Sequence, residues 1–326
     1  MIPNKLNVGD EVRVIAPSRS MAIIGEDCKE IATKRLTDMG LKVTFGKHVM
    51  EADDVISSSI ESRIEDLHDA FRDKNVKAIL TVIGGFNSNQ LLSHIDYDLI
   101  KNNPKILCGF SDITALLNSI HAKTGLTTYY GPHYSSLGMK KGCEYTLEYF
   151  KKMFFENNEI EVVSSTEWSN DSWFMDQENR TFVPNEGMFV INKGEASGEV
   201  VGGNLCTFNL LQGTEYMPDI TNKILFLEDD GLADKMFYVE FDRNLQSVIH
   251  LKNFNTVKGI VIGREEKNCP MDKEKWTKLI KSKHELDNIP VIAGADFGHT
   301  TPIFTFGIGG TAHIIANEKA TLYIKG

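Results

Sequence analysis

Three side chains in this 326-residue sequence are of the types that carry out acyl transfer: a serine, a carboxylate and a histidine, each set where a buried strand should end. Ser111 follows the apolar run Lys105 to Phe110 and precedes Ile113, Leu116, Leu117 and Ile120, which recur at helical spacing. Open α/β sheets place their ligands at such strand-to-helix junctions, and the free N–H groups that open a helix face any developing negative charge. Serine is equally a common helix cap. The run Gly109-Phe110-Ser111-Asp112-Ile113 matches the hydrolase elbow G-x-S-x-G only in its first half.

Glu228 closes the strand Lys223 to Leu227 and opens the turn Glu228-Asp229-Asp230, which as a solvated acidic turn would do no chemistry. His299 follows the strand Pro290 to Gly294, among Asp296, Gly298, Thr300 and Thr301. Were the three to meet, His299 would take the Ser111 proton and return it to a leaving nitrogen, while Glu228 held the second ring nitrogen. Main-chain N–H groups of Gly85 and Asp112 are the candidate oxyanion donors, glycine allowing the close backbone approach. Spacing alone makes this constellation possible and no more.

Competing chemistry has little support. There is no H-E-x-x-H, no phosphate-binding loop with its lysine and no G-x-G-x-x-G after the first strand, so neither a metal nor a cofactor is expected. The pairs Gly84-Gly85, Gly202-Gly203 and Gly309-Gly310 read as turns. Of the other histidines, only His133, after Gly131-Pro132, is placed to line a crevice. Five widely spaced cysteines fit neither a disulfide scaffold nor a zinc site and read mostly as buried thiols.

The elements that must position these residues follow from periodicity. Strands at Val12 to Ala16, Leu41 to Phe45, Val76 to Ile83, Lys105 to Phe110 and Thr127 to Tyr130 alternate with helices. The first helix spans Asp27 to Met39, and a second opens at the capping box Ser58/Glu61. That alternation predicts an α/β protein whose N-terminal part is a doubly wound, mostly parallel sheet, followed by a second, less regular C-terminal α/β domain. The expected division is residues 1–163 for the domain with the nucleophile, 164–185 for an inter-domain loop, and 186–326 for the domain with Glu228 and His299. If the strands ending at Gly84-Gly85 and Gly109 are neighbours, their two turns share one crevice. The polar loop carries Trp168 and Trp173, which either pin it to the body or stack on a ligand. Asn204, after two glycines, is either a turn residue or a substrate contact.

Composition bounds the partners. A formal charge of -10 and a pI near 5.4 argue against a nucleic-acid polymer. No stretch approaches the roughly 20 apolar residues of a membrane span, and the N-terminus does not read as a secretory signal. A cytoplasmic protein is expected.

Five separated motifs, taken together, resemble the LD-carboxypeptidase family of serine peptidases: Gly109-Phe-Ser-Asp-Ile-Thr-Ala-Leu116, the Gly84-Gly85 turn, Gly202-Gly-Asn-Leu205, Phe226-Leu-Glu-Asp229 and Phe297-Gly-His-Thr300. The resemblance implies Ser111 as nucleophile, Glu228 as triad carboxylate, His299 as base and a homodimer in the cytoplasm. Ile83-Gly-Gly-Phe-Asn-Ser-Asn-Gln-Leu-Leu92, including Asn87, together with Asn102-Asn-Pro-Lys105, Tyr129-Tyr-Gly-Pro132 and the tryptophan loop, is similar to the microcin C self-immunity branch. That branch implies hydrolysis of the amide between an acidic amino acid and a nucleotide-like group, with Trp173 or Trp168 stacking on the base and Lys235 near a phosphate. The sequence departs from the branch pattern after Glu228 and at Thr300-Thr-Pro302. Two alternatives remain: a murein tetrapeptide LD-carboxypeptidase, and a non-enzymatic ligand-binding protein on the same fold.

Overall fold

The computed structural model describes residues 1–326. Its first part alternates β1 (Glu11–Ile15), α1 (Glu26–Asp38), β2 (Lys42–Phe45), α2 (Ile60–Arg72), β3 (Val76–Thr81), α3 (Tyr97–Asn102), β4 (Ile106–Gly109), α4 (Thr114–Thr124), β5 (Thr128–Tyr130) and α5 (Glu144–Phe155). Then come β6 (Ile160–Glu161), β7 (Glu167–Trp168), β8 (Val183–Pro184), β9 (Phe189–Asn192), β10 (Gly194–Asn204), α6 (Leu205–Asn209) and β11 (Ile224–Glu228). The chain finishes with α7 (Phe237–Ile249), β12 (Gly259–Gly263), α8 (Lys273–Lys281), β13 (Val291–Ala295), β14 (Phe306–Ile308), β15 (Thr311–Ala316) and β16 (Ala320–Lys325).

Two sheets result. The first has the order β14-β5-β4-β3-β1-β2, with β1 to β5 parallel and β14 antiparallel at the edge. Its middle strands are apolar with little alternation and buried, as strands covered on both faces must be. The second has the order β6-β16-β15-β10-β11-β12-β13-β9; β10 to β13 are parallel and the outer strands antiparallel. The architecture is therefore the α/β one expected, with a mostly parallel first sheet and a separate mixed second sheet.

Several local expectations need correction. The capping box lies one residue later than read: Ser59 caps α2 by accepting from Ser62 N–H, so Glu61 falls at the second helical position rather than the third. Gly202 and Gly203 are not a turn but the last residues of β10 before Asn204, at φ of 123° and 125°. Glycine is needed there because a Cβ on Gly202 would stand 2.2 Å from the Phe226 carbonyl oxygen of the neighbouring strand. The polar loop 164–185 also carries structure, since β7 pairs with β8 and Ser169 forms an isolated bridge with Thr301.

The site is set by which strand ends come together. Strands β3 and β4 are adjacent, with Leu80 opposite Cys108, so the turns at Gly84-Gly85 and Ser111 do share one crevice. Glu228 is the last residue of β11, and His299 follows the end of β13, two strands away across β12.

Candidate active site

Ser111 sits on a tight turn between β4 and α4, with φ at 59°. The left-handed region costs a residue with a Cβ about 1–2 kcal/mol, and such strain tends to collect at functional sites. The serine caps nothing: Phe110 occupies the N-cap of the short helix that starts at Ser111, and no side-chain cap bond is made. Its hydroxyl turns the other way. Ser111 Oγ lies 2.9 Å from His299 Nε2, and His299 Nδ1 lies 2.8 Å from Glu228 Oε2.

Glu228 is almost wholly buried, and its second oxygen is also occupied, accepting from the Tyr130 hydroxyl at 2.6 Å. With both oxygens held, the carboxylate has one orientation, and the imidazole that it bonds has one as well. Burial disfavours charge on His299, but the charge and hydrogen bond of Glu228, with Asp230 and Glu266 farther off, outweigh it and raise the ring to about 9. The arrangement therefore stabilises an imidazolium, which is the state a base reaches after taking a serine proton.

Room for a reacting carbonyl depends on Gly84. A Cβ there would stand 2.9 Å from Ser111 Cβ and 3.1 Å from its Oγ. The loop that follows is fixed by the Asp112 side chain, whose Oδ2 accepts from Ser18 Oγ at 2.6 Å, Ser88 N at 2.9 Å and Asn87 N at 3.0 Å. Asp112 thus ties the glycine turn to the serine turn. Gly85 borders the cavity beside Ser111, and no acceptor within the protein engages its N–H.

The cavity holds about 480 Å³, an ordinary size for a small-molecule site. Ser111 and His299 line it with Trp173, the exposed rings of Phe86 and Phe174, and Arg19. Apart from the two histidines, Arg19 is the one basic side chain among the lining residues; it pairs with no carboxylate and donates from Nε to Gly84 O at 3.3 Å.

Other expected contacts lie elsewhere. Trp168 is outside the cavity, stacked against Arg264 and Lys267 with the cations 5.1 and 5.3 Å from its ring centre. Arg264 in turn bonds the buried Asp296, which also accepts from Ser165 and Asn185, so this tryptophan helps pin the loop. Asn204 caps α6, accepting from Thr207 N–H at 3.1 Å and donating to Asp229 at 3.2 Å; it does not line the cavity. Asn87 stands behind the glycine turn, its main chain between Asp112 and Arg63. Lys235 is exposed on the Gly231–Met236 turn and is not among the lining residues. The Tyr130–Glu228 bond and the place of Arg19 in the cavity are not readable from the sequence, because no local pattern names either partner.

Residues 12–131 match the model of the LD-carboxypeptidase N-terminal domain, and residues 197–314 match that of its C-terminal domain. The chain belongs to the LD-carboxypeptidase family. The YocD protein of Bacillus subtilis (strain 168) is 52% identical over 97% of this chain and 96% of its own length. Among solved structures, an MccF-like protein from Bacillus anthracis str. Ames superposes with a TM-score of 0.99 at 56% identity, covering 100% of this chain and 99% of its own. The microcin C7 self-immunity protein MccF, solved with aspartyl sulfamoyl adenosine, superposes with a TM-score of 0.85 at 30% identity over 100% of this chain and 98% of its own. No helix here is long and apolar enough to cross a membrane.

Proposed function

We propose that this protein is a serine peptidase that hydrolyses the amide bond between an acidic amino acid and a nucleotide-like group. The observation that carries the reading is His299 within hydrogen-bond reach of Ser111 on one side and Glu228 on the other. In its neutral form His299 takes the Ser111 proton as Oγ attacks the carbonyl carbon, and Glu228 stabilises the resulting imidazolium. The main-chain N–H groups of Gly85 and Asp112 receive the oxyanion. His299 then gives the proton to the leaving nitrogen as the C–N bond breaks, and water releases the acyl group from Ser111 by the same steps in reverse.

Trp173 and the rings of Phe86 and Phe174 supply stacking surface for a base, and Arg19 supplies a cation for an anionic linkage. MccF, solved with aspartyl sulfamoyl adenosine, is a relative whose ligand has these parts. The homodimer and the cytoplasmic setting implied by the family resemblance belong to the same proposal, and light scattering of the purified protein tests the first.

The direct test compares an aspartyl adenylate-type amide with a murein tetrapeptide, using wild type and Ser111→Ala and mass spectrometry of the products. Release of aspartate from the first substrate alone, abolished by the substitution, is the expected result. Release of D-alanine alone would transfer the protein to murein chemistry. An active Ser111→Ala protein would end the serine-peptidase reading.

A further inference from the structure

Tyr130 does not line the cavity, yet its hydroxyl bonds the one oxygen of Glu228 that His299 leaves free. That bond is 2.6 Å long, and both side chains are buried, Tyr130 wholly so. Burial above all, then the charge and hydrogen bond of Glu228 and last the charge of Asp229, push the phenol pKa well above its ordinary value. The Ser111 main-chain N–H approaches the same oxygen and opposes the rise only in part. The hydroxyl therefore keeps its proton and is the donor to Glu228.

The ring is anchored on the nucleophile's side of the molecule. Tyr130 ends β5 opposite Gly109 of β4, just before Ser111. On the other side β14 pairs Phe306 with it, and the two rings stack with centres 5.0 Å apart and planes within 15°. Phe110 and Phe297 pack edge-on against it, each at 6.0 Å. So enclosed, the hydroxyl is fixed relative to the strand that carries Ser111. Strand β10 has to pass close by. A Cβ on Gly203 would stand 3.0 Å from two carbons of the Tyr130 ring and 2.7 Å from Thr114 Oγ1, and its φ of 125° also favours glycine. The second glycine of Gly202-Gly203-Asn204 is thus the clearance that Tyr130 needs, and two motifs far apart in sequence serve one contact.

We propose that Tyr130 is a positioning residue for hydrolysis: its hydroxyl fixes Glu228, which comes from the second sheet, in register with Ser111, which comes from the first. The inference rests on the Ser111–His299–Glu228 reading of the site. A carboxylate held by one oxygen can still turn about its Cγ–Cδ bond, and His299, bonded to it through Nδ1, would follow. A second bond to the other oxygen removes that freedom, and its donor belongs to the strand beside the nucleophile's. The line from Nε2 to Oγ, 2.9 Å long, is then held across the two sheets by that bond, and small misplacements of such a line cost rate steeply. Tyr130 touches no substrate and exchanges no proton; it acts through Glu228.

Tyr130→Phe keeps the ring and deletes the bond. It should lower kcat roughly 10- to 100-fold, the span of one hydrogen bond to a charged group, and leave KM within about twofold, because the ring stands outside the cavity. The same substitution made on Glu228→Ala should change kcat less than about threefold, since the group it acts through is gone. A residue that only packs would cost as much in either background. In the proton NMR spectrum the low-field resonance of His299 Nδ1–H, in its bond to Glu228, should move on Tyr130→Phe. A ring-fluorinated tyrosine at the same position, nearly equal in shape and a stronger donor, should move it the other way, and this second measurement holds even where the phenylalanine variant folds poorly. Additive losses in the two backgrounds, a KM that rises as kcat falls, or a resonance that moves with neither substitution would overturn the inference. A Glu228→Ala protein of wild-type activity would instead overturn the underlying assignment.

Discussion

Replacing Glu228 by Gln probes the site most sharply, because it keeps the shape of the side chain and removes its charge. Glu228 Oε2 lies 2.8 Å from His299 Nδ1, and the imidazole is raised from 6.5 to about 9 against the opposing effect of burial. At 1.36 kcal/mol per pKa unit, that rise is a preference of about 3 kcal/mol for the imidazolium. Most of it should vanish with the carboxylate, leaving burial to push the ring below its ordinary value. The acid limb of kcat/KM against pH should accordingly move from near 9 to 6.5 or lower. The rate on the plateau should fall about 10³- to 10⁴-fold, as when a triad carboxylate becomes an amide. Stability carries a matching signature. A raised histidine pKa stabilises the fold fully below pH 6.5, and that contribution is lost as pH rises through about 9. The melting-temperature gap between wild type and Glu228→Gln should be widest near pH 6 and narrow by pH 9.5. The measurements are a pH–rate profile on a spectrophotometric amide substrate and a thermal melt series on both proteins. An acid limb that stays in place, or a gap that does not narrow, would refute the electrostatic account.

Gly84→Ala should leave a folded protein that melts a few degrees lower, because one extra methyl costs about 1–3 kcal/mol in a packed setting, while kcat/KM drops more than about 100-fold as the space over Ser111 closes; activity near wild type would contradict the geometry. Arg19→Gln should raise KM about 10-fold for substrates with an anionic leaving group, the loss of one charge-assisted bond, and leave a neutral analogue unaffected; parallel changes on both would reduce Arg19 to packing. Asp229 is raised to about 7 by burial first and then by the charges of Glu228 and Asp230, so ionising it costs stability progressively from about pH 4 to 7. Asp229→Asn should therefore raise the melting temperature at pH 8 and leave it nearly unchanged at pH 4, since the amide oxygen can still accept from Asn204. A gain of equal size at both pH values would show that charge is not the cause.

The parts of this molecule that were legible in the sequence are those in which local chemistry and chain position coincide. Ser111, Glu228 and His299 each follow an apolar run, and parallel sheets bring such ends to one side, so three residues far apart in sequence became one candidate. In the sequence Asp112 reads as an oxyanion donor through its main-chain N–H, but its side chain also joins two turns through contacts with Ser18, Asn87 and Ser88. No spacing announces such bonds. Trp168 and Trp173 are five positions apart in one polar loop, yet one stacks on Arg264 and the other lines the cavity. What separates them is the Asp296–Arg264 pair and the Ser169–Thr301 bridge, both made with residues more than ninety positions downstream. Asn204 shows the reverse case: its place after two glycines suited a ligand contact, but its oxygen is taken up by the first turn of α6.

The interlocking of the two sheets has a consequence for how activity is gained. Strand β14, from the end of the chain, completes the edge of the first sheet, and β6, from before the tryptophan loop, lies at the edge of the second. Ser111 comes from one sheet and its two hydrogen-bonded partners from the other, so during synthesis the proposed nucleophile emerges well before Glu228 and His299. Under the proposed mechanism the hydroxyl has no base until His299 has been made and has folded against it. A product truncated before His299 would, under the same mechanism, carry the serine without the base that hydrogen-bond geometry gives it, and so would be inactive.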